Sequence, residues 1–201
     1  MDKLTKAERT KQFIIEKAAP IFMTKGVAGT SMSDIMEATQ LAKGSLYVHF
    51  ENKEELSYSV VDYNLNAFVD RTLAAVNTEK NAKLKLFAML DFLSDPLNPP
   101  VAGGCPMMNF GMEADDTSPI IRDKVCKIVV DVQKFIQDTV EEGMEAGLFK
   151  KTWNAAAFAT KTYAMIEGGI LISRVSGNND KMNILMDMLK AEIEEQSILL
   201  L

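Results

Sequence analysis

Apolar residues recur at three- and four-residue spacing along almost the whole chain, and no run alternates apolar and polar positions between hairpin turns. That pattern predicts an all-α protein. Ile14, Ala18, Ile21 and Phe22 mark a stripe over residues 5–25, closed by Gly26; Pro20 lies inside it, removes one backbone donor and is expected to bend the helix. Two short helices follow, over 33–39 with Thr30 or Ser31 as cap and over 43–49, joined by a connection of about three residues. Asn52 then caps a helix over about 53–76, roughly 35 Å long at 1.5 Å per residue, with Glu54 and Glu55 placed to favour its dipole. Further helices are predicted near 80–94, 106–115, 118–146, 153–176 and 179–199, about nine in all. DPLNPPVAGG, the Ser118-Pro119 start, Gly147 and GNND separate them.

Two short helices joined by a tight turn and packed on a longer first one form a helix-turn-helix arrangement, whose second short helix enters a major groove. Any small helical bundle has short helices, so the side chains matter more. On the face of the 43–49 helix away from Leu46 and Phe50 lie Lys43, Gly44, Ser45, Tyr47 and His49, small or hydrogen-bonding groups suited to base edges and phosphates. Lys53 follows at a helix N-terminus, where free N–H groups favour an anion. Charge agrees: residues 1–53 hold eight Lys/Arg against six Asp/Glu, whereas residues 54–201 hold 14 against 22. If any part meets a polyanion, it is the first part.

The stretch TSMSDIMEATQLAKGSLYVHFENKEEL, residues 30–56, resembles the DNA-binding domain of the TetR family of transcriptional regulators, and the resemblance extends upstream through AAPIFMTKGVAGTS. It implies a three-helix helix-turn-helix domain over residues 1–52 and a larger helical ligand-binding and dimerisation domain over 53–201. By the same resemblance Thr30, Ser31 and Ser33 hold phosphate at the start of the second helix. Lys43, Gly44 and Ser45 face base edges, and Tyr47, His49 and Lys53 grip the backbone. Bland readings stay open: a core histidine at 49, a packed aromatic at 47, simple helix caps at 30, 31 and 33. Two positions depart from the family pattern. Gln40 stands where the turn normally has Gly, at a cost on the order of 1 kcal/mol in a left-handed conformation, and Ala42 stands where Ser or Thr caps the recognition helix, at a similar cost.

In the larger part, Met182, Leu185, Met186, Leu189 and Ile193 run at helical spacing, and Ala164, Gly168 and Gly169 allow close helix approach. The resemblance implies a homodimer through the last two helices, against the alternative that these stripes pack inside one chain. Aromatic residues and 13 methionines suit a pocket for a small apolar effector and equally suit a core; Phe87, Phe92, Met108, Asn109, Met112, Phe135 and Tyr163, with Cys105, are the expected ligand contacts. GGCPMMNFGMEAD, residues 103–115, resembles the Gly-Cys-Pro-x-x-Asn-x-x-x-Glu pattern of a branch of the family that includes NemR-like repressors, some of which sense electrophiles through that cysteine. Cys105 before Pro106 stands at a predicted helix start, where the dipole favours thiolate, but no Lys, Arg or His lies near it in sequence, and an inert, buried thiol stays open as the alternative. Cys126, on a stripe with Val129 and Val130, reads as packing.

No apolar run reaches the roughly 20 residues needed to cross a bilayer, and the charged N-terminus has no secretory hydrophobic segment behind it, so a cytoplasmic protein is expected. Neither cysteine sits in a metal-binding spacing, and no metal or cofactor is expected. The sole histidine lies about 55 residues upstream of Cys105, and there is no nucleophile elbow or phosphate loop, which argues against an enzyme. The expected partners are a double-stranded DNA operator, a small effector and a second copy of the chain. The rival is a helical carrier or interaction protein that never binds DNA, favoured by an overall pI near 5.0.

Overall fold

The computed structural model describes residues 5–99 and 101–198. Nine helices occur among these residues: α1 (Lys6–Gly29), α2 (Met32–Thr39), α3 (Lys43–Tyr47), α4 (Lys53–Val76), α5 (Ala82–Leu93), α6 (Pro106–Ala114), α7 (Pro119–Glu145), α8 (Ala155–Ser176) and α9 (Asp180–Gln196). Periodicity and punctuation therefore located each helix to within a few residues. Three ends differ for local reasons. Inside α1 the non-helical dihedrals fall at Gly26 (φ 75°, ψ 173°) and not at Pro20, and one more turn follows the break. α3 stops at Tyr47 because Val48 N–H bonds back to Gly44 and His49 N–H to Leu46, closing the last turn. α9 stops at Gln196 because Ser197 turns extended and pairs with Phe149, with Ile198 N–H donating to the Leu148 carbonyl at 2.8 Å. The last residue of the expected 179–199 helix lies outside the described residues.

The chain groups into two compact units, one holding the residues up to Ala67 together with Val101–Cys126, the other holding Phe68–Pro100 and the residues from Lys127 onward. Both α4 and α7 contribute to each. This grouping differs from a boundary at residue 52, because α6 packs on α1. In the first unit Ile14, Ala18 and Phe22 of α1, Ile35 of α2, Leu46 and Phe50 around α3, and Leu56 and Val60 of α4 are all buried.

The second unit is built around α8 and α9. Met182, Met186, Leu189 and Ile193 are buried within the chain, and a Cβ on Gly169 would lie 2.4 Å from the Met182 sulfur. This corrects the expectation that these residues form a dimer face: the glycine brings α9 against α8 of the same chain, and the stripe is consumed there. Trp153 packs edge-on to Phe149 at 5.1 Å between ring centroids, contacts Phe158 at 4.5 Å and donates its indole N–H to Glu192 at 3.3 Å. Lys161 also pairs with Glu192.

Both departures in the turn have structural consequences. Gln40 is the only non-glycine residue at positive φ among the described residues (φ 57°, ψ 25°), and its side-chain amide donates to the Glu37 carbonyl at 2.6 Å, satisfying one end carbonyl of α2. Ala42 occupies the N-cap of α3 with extended dihedrals and no side-chain bond. Ala42→Ser is expected to stabilise the fold by about 1 kcal/mol, read as a higher denaturation midpoint at unchanged slope; an unchanged midpoint would mean that water already satisfies those N–H groups equally well.

Candidate nucleic-acid interface

α2 begins with a reciprocal cap. The Ser31 hydroxyl accepts from Asp34 N–H at 3.2 Å while the Asp34 carboxylate accepts from Ser31 N–H at 2.8 Å. Lys25 donates to the same carboxylate at 2.6 Å. The Lys25 ammonium first, then the two Ser31 donors, hold the Asp34 carboxyl well below the usual carboxylate range. A depressed folded pKa means the stabilisation is present at neutral pH and is lost as pH falls below about 4. The cap leaves Ser31 and Ser33 exposed at the helix start, where a phosphate would sit. Thr30 does not join them: it is 1% exposed, and its hydroxyl donates to the Gly26 carbonyl at 2.6 Å. The expected phosphate contact is corrected to an internal tie between the end of α1 and the start of α2.

α3 is anchored by buried Leu46 and, just beyond it, Phe50, over whose ring the Lys11 ammonium lies at 4.8 Å. Lys11 also pairs with Glu55 at 3.3 Å. With those anchors inside, Lys43, Gly44, Ser45 and Tyr47 all face outward. Tyr47 is 41% exposed with the Lys43 ammonium 5.8 Å from its ring centre, so it is not a core aromatic. A Cβ added at Gly44 would meet nothing within 4 Å. The fold therefore has no packing need for glycine there, although glycine inside a helix costs roughly 0.5–1 kcal/mol relative to alanine. His49 is half-buried beside this face, and Lys53 is half-buried with its ammonium 3.4 Å from the Ala28 carbonyl. Sequence reasoning missed Val48, 79% exposed at the C-cap of α3; its apolar character pointed to the core, and only its position past the helix end turns it outward.

The arrangement is a short anchored helix presenting small, cationic and hydrogen-bonding groups on one open face, positioned by a capped partner helix. Two family models match the chain: residues 14–57 fit that described as bacterial regulatory proteins, tetR family, and residues 82–189 fit that described as tetracyclin repressor-like, C-terminal domain. A TetR-family transcriptional regulator from Cytophaga hutchinsonii is 34% identical, with a TM-score of 0.89, over 98% of this chain and 99% of that one. The chain belongs to the TetR family of transcriptional regulators. Within the family, the transcriptional repressor DhaR of Mycobacterium sp. (strain GP1) is 25% identical over 86% of each chain. Reduced Escherichia coli NemR superposes with a TM-score of 0.80 at 18% identity, over 94% of this chain and 97% of that one, a likeness of fold alone.

The residues expected to touch an effector are divided between the two units of this TetR-family chain. Cys105, Met108, Asn109 and Met112 belong to the first, and Phe87, Phe92, Phe135 and Tyr163 to the second. In the first unit Met112 projects into solvent, while the Asn109 amide is committed to the carbonyls of Met23 (3.1 Å) and Gly103 (3.0 Å). In the second, Phe87, Phe92, Phe135 and Tyr163 are half-buried. The first unit also holds a cavity of about 320 Å³ lined by Val27, Lys53, Tyr58, Phe110, Glu113 and Ile121 among others. Cys105 is the N-cap of α6 with Pro106 at its first position, as its place in the sequence implies, but it is 2% exposed. Cys126, expected to pack, is the exposed thiol.

Proposed function

We propose that this TetR-family protein is a ligand-responsive repressor that binds a palindromic operator as a homodimer and leaves it when a small apolar or electrophilic effector shifts the population toward a dimer with wrongly spaced heads. The observation that carries the reading is the open face of α3, where Lys43, Ser45 and Tyr47 surround a glycine that no packing requires. Val48 adds an apolar tip suited to a thymine methyl group. DhaR, named a repressor, supports repression over activation.

For the dimer, the exposed apolar residues of α8 and α9 are Leu171, Ile172, Val175, Ile184 and Met188, and a Cβ at Gly168 would meet nothing. These apolar residues, left exposed after the α8–α9 core is filled, are suited to a second copy of the chain. Two heads then read half-sites about 34–36 Å apart. α4, which contributes to both units, carries the effector's influence to the head.

Selection from a random duplex pool by the intact protein tests this. Inverted repeats should emerge, bound with an affinity that falls steeply as salt rises; a pool with no enrichment and no salt-sensitive retention would leave the carrier reading. Electrophile sensing at Cys105 is the narrower form of the proposal, and it requires the start of α6 to open, because the thiol is buried. A maleimide probe at neutral pH is expected to modify Cys126 at least roughly ten-fold faster than Cys105 until denaturant is added. Equal rates in the native protein would show that the segment opens readily.

A further inference from the structure

We propose that Asn109 and Glu113 are positioning residues for operator reading: from α6 they clamp the break in α1 and so fix where the helix-turn-helix begins. The idea rests on the operator-binding reading above and concerns the same head. In an unbroken helix the Val27 N–H would donate to the Met23 carbonyl. The dihedrals of Gly26 break the helix between them. α6 supplies a partner for each end of the missing rung: the Asn109 amide donates to the Met23 carbonyl at 3.1 Å, and the Glu113 carboxylate accepts from Val27 N–H at 2.7 Å and from Ala28 N–H at 2.6 Å. The two α6 side chains are four residues apart, hence on one face of that helix.

The backbone is shaped for this contact. Gly26 sits at φ 75°, and a Cβ there would fall 2.8 Å from a Glu113 oxygen; Gly103 sits at φ 97°, and a Cβ there would fall 2.7 Å from the Met23 side chain. Two positive-φ glycines, Gly26 in α1 and Gly103 just before α6, let the segments approach, which gives the asparagine and glutamate of the 103–115 motif a role independent of its cysteine.

From the clamp a short path leads to the reading face. Gly26 offers its carbonyl to the Thr30 hydroxyl at 2.6 Å, Thr30 adjoins the Ser31 cap of α2, and α2 packs on α3. Lys53 also reaches this turn, donating to the Ala28 carbonyl at 3.4 Å. Losing Glu113 would leave two charge-assisted bonds unmade and free the last turn of α1 to reorient, changing where α3 points without touching any group that meets DNA.

The test compares Glu113→Ala, Glu113→Gln, Asn109→Ala and Gly26→Ala with the parent protein on a palindrome it has itself selected and on an unrelated duplex. Glu113→Ala is expected to lower palindrome affinity at least about ten-fold and non-specific affinity less than about two-fold, with the dimer intact and with faster hydrogen exchange at the Val27 and Ala28 amides. In a Gly26→Ala background, where the break is already disturbed, the same substitution should cost little more. Should Glu113→Ala not fold, Glu113→Gln, which keeps the volume and one acceptor, is expected to give a smaller loss in the same direction, with one of the two amides deprotected. Unchanged palindrome affinity in both Glu113 variants, or an equal loss on both duplexes, overturns the clamp. If the parent protein itself selects no palindrome, the operator reading has failed and the proposal with it.

Discussion

Lys43→Ala is expected to weaken binding to the selected palindrome by about 100-fold while leaving the thermal midpoint nearly unchanged. Both halves follow from position. The ammonium is exposed on the first residue of α3, and its one described neighbour is the Tyr47 ring at 5.8 Å, so the fold loses almost nothing when it goes. Against DNA, a side chain that reads a base edge is worth about 1–3 kcal/mol, and a two-fold dimer loses the contact twice. Binding to unrelated duplex, which depends on phosphate neutralisation, should fall only a few-fold. Lys53→Ala is expected to behave differently, weakening all duplexes alike and reducing the salt slope by about 2, since two phosphate contacts are removed per dimer. Gly44→Ala separates fold from recognition most sharply. It should raise stability by roughly 0.5–1 kcal/mol and still impair palindrome binding, because the added methyl meets nothing inside the chain. Palindrome affinity equal to the parent protein's in both Lys43→Ala and Gly44→Ala would move the reading surface elsewhere.

The second large effect belongs to the face left exposed on α8 and α9. Val175 is 80% exposed and Met188 also faces outward, so the double substitution Val175→Asp, Met188→Asp should leave the separate chain folded. In a self-complementary interface each added carboxylate would be buried without a partner, at a cost of several kcal/mol per ion. Sedimentation should show monomers at micromolar concentration, and palindrome affinity should fall by about a thousand-fold or more, toward the non-specific level. A dimer that survives both charges would place the interface on another face. Matching substitutions in the buried α9 stripe, such as Met186→Asp, are expected to unfold the chain instead of dividing it, because that residue is enclosed within the second unit.

Most of the helix-turn-helix was legible in the sequence. Most signals are local: Ser31 before the 33–39 stretch caps a helix and Leu46 and Phe50 four apart share a face, while the family pattern, with Gly where Gln40 stands, marked a left-handed residue that the structure contains at φ 57°. Thr30 was misread because a hydroxyl before a helix cap can point to a partner or back to a carbonyl four residues earlier, and only the Gly26 break brings that carbonyl within reach. Asn109 and Glu113 were read as part of a cysteine motif because their partners, Met23, Val27 and Ala28, lie more than 80 residues away in the chain. The exposure of Cys126 was misread, and the burial of Cys105 left open, for a related reason: a helical stripe shows which residues share a face, not which face is covered.

By itself the amino-acid order located the nine helices found among the described residues, the Ser31 and Asn52 caps, and a charged, glycine-bearing segment at α3, because these depend on neighbours within about one helical turn. Tertiary structure alone decided which apolar stripe of α9 is consumed within the chain and which stays exposed. It also decided which thiol faces water and what holds the broken end of α1. Those outcomes depend on long-range packing, and a period of 3.6 residues carries no record of what lies opposite.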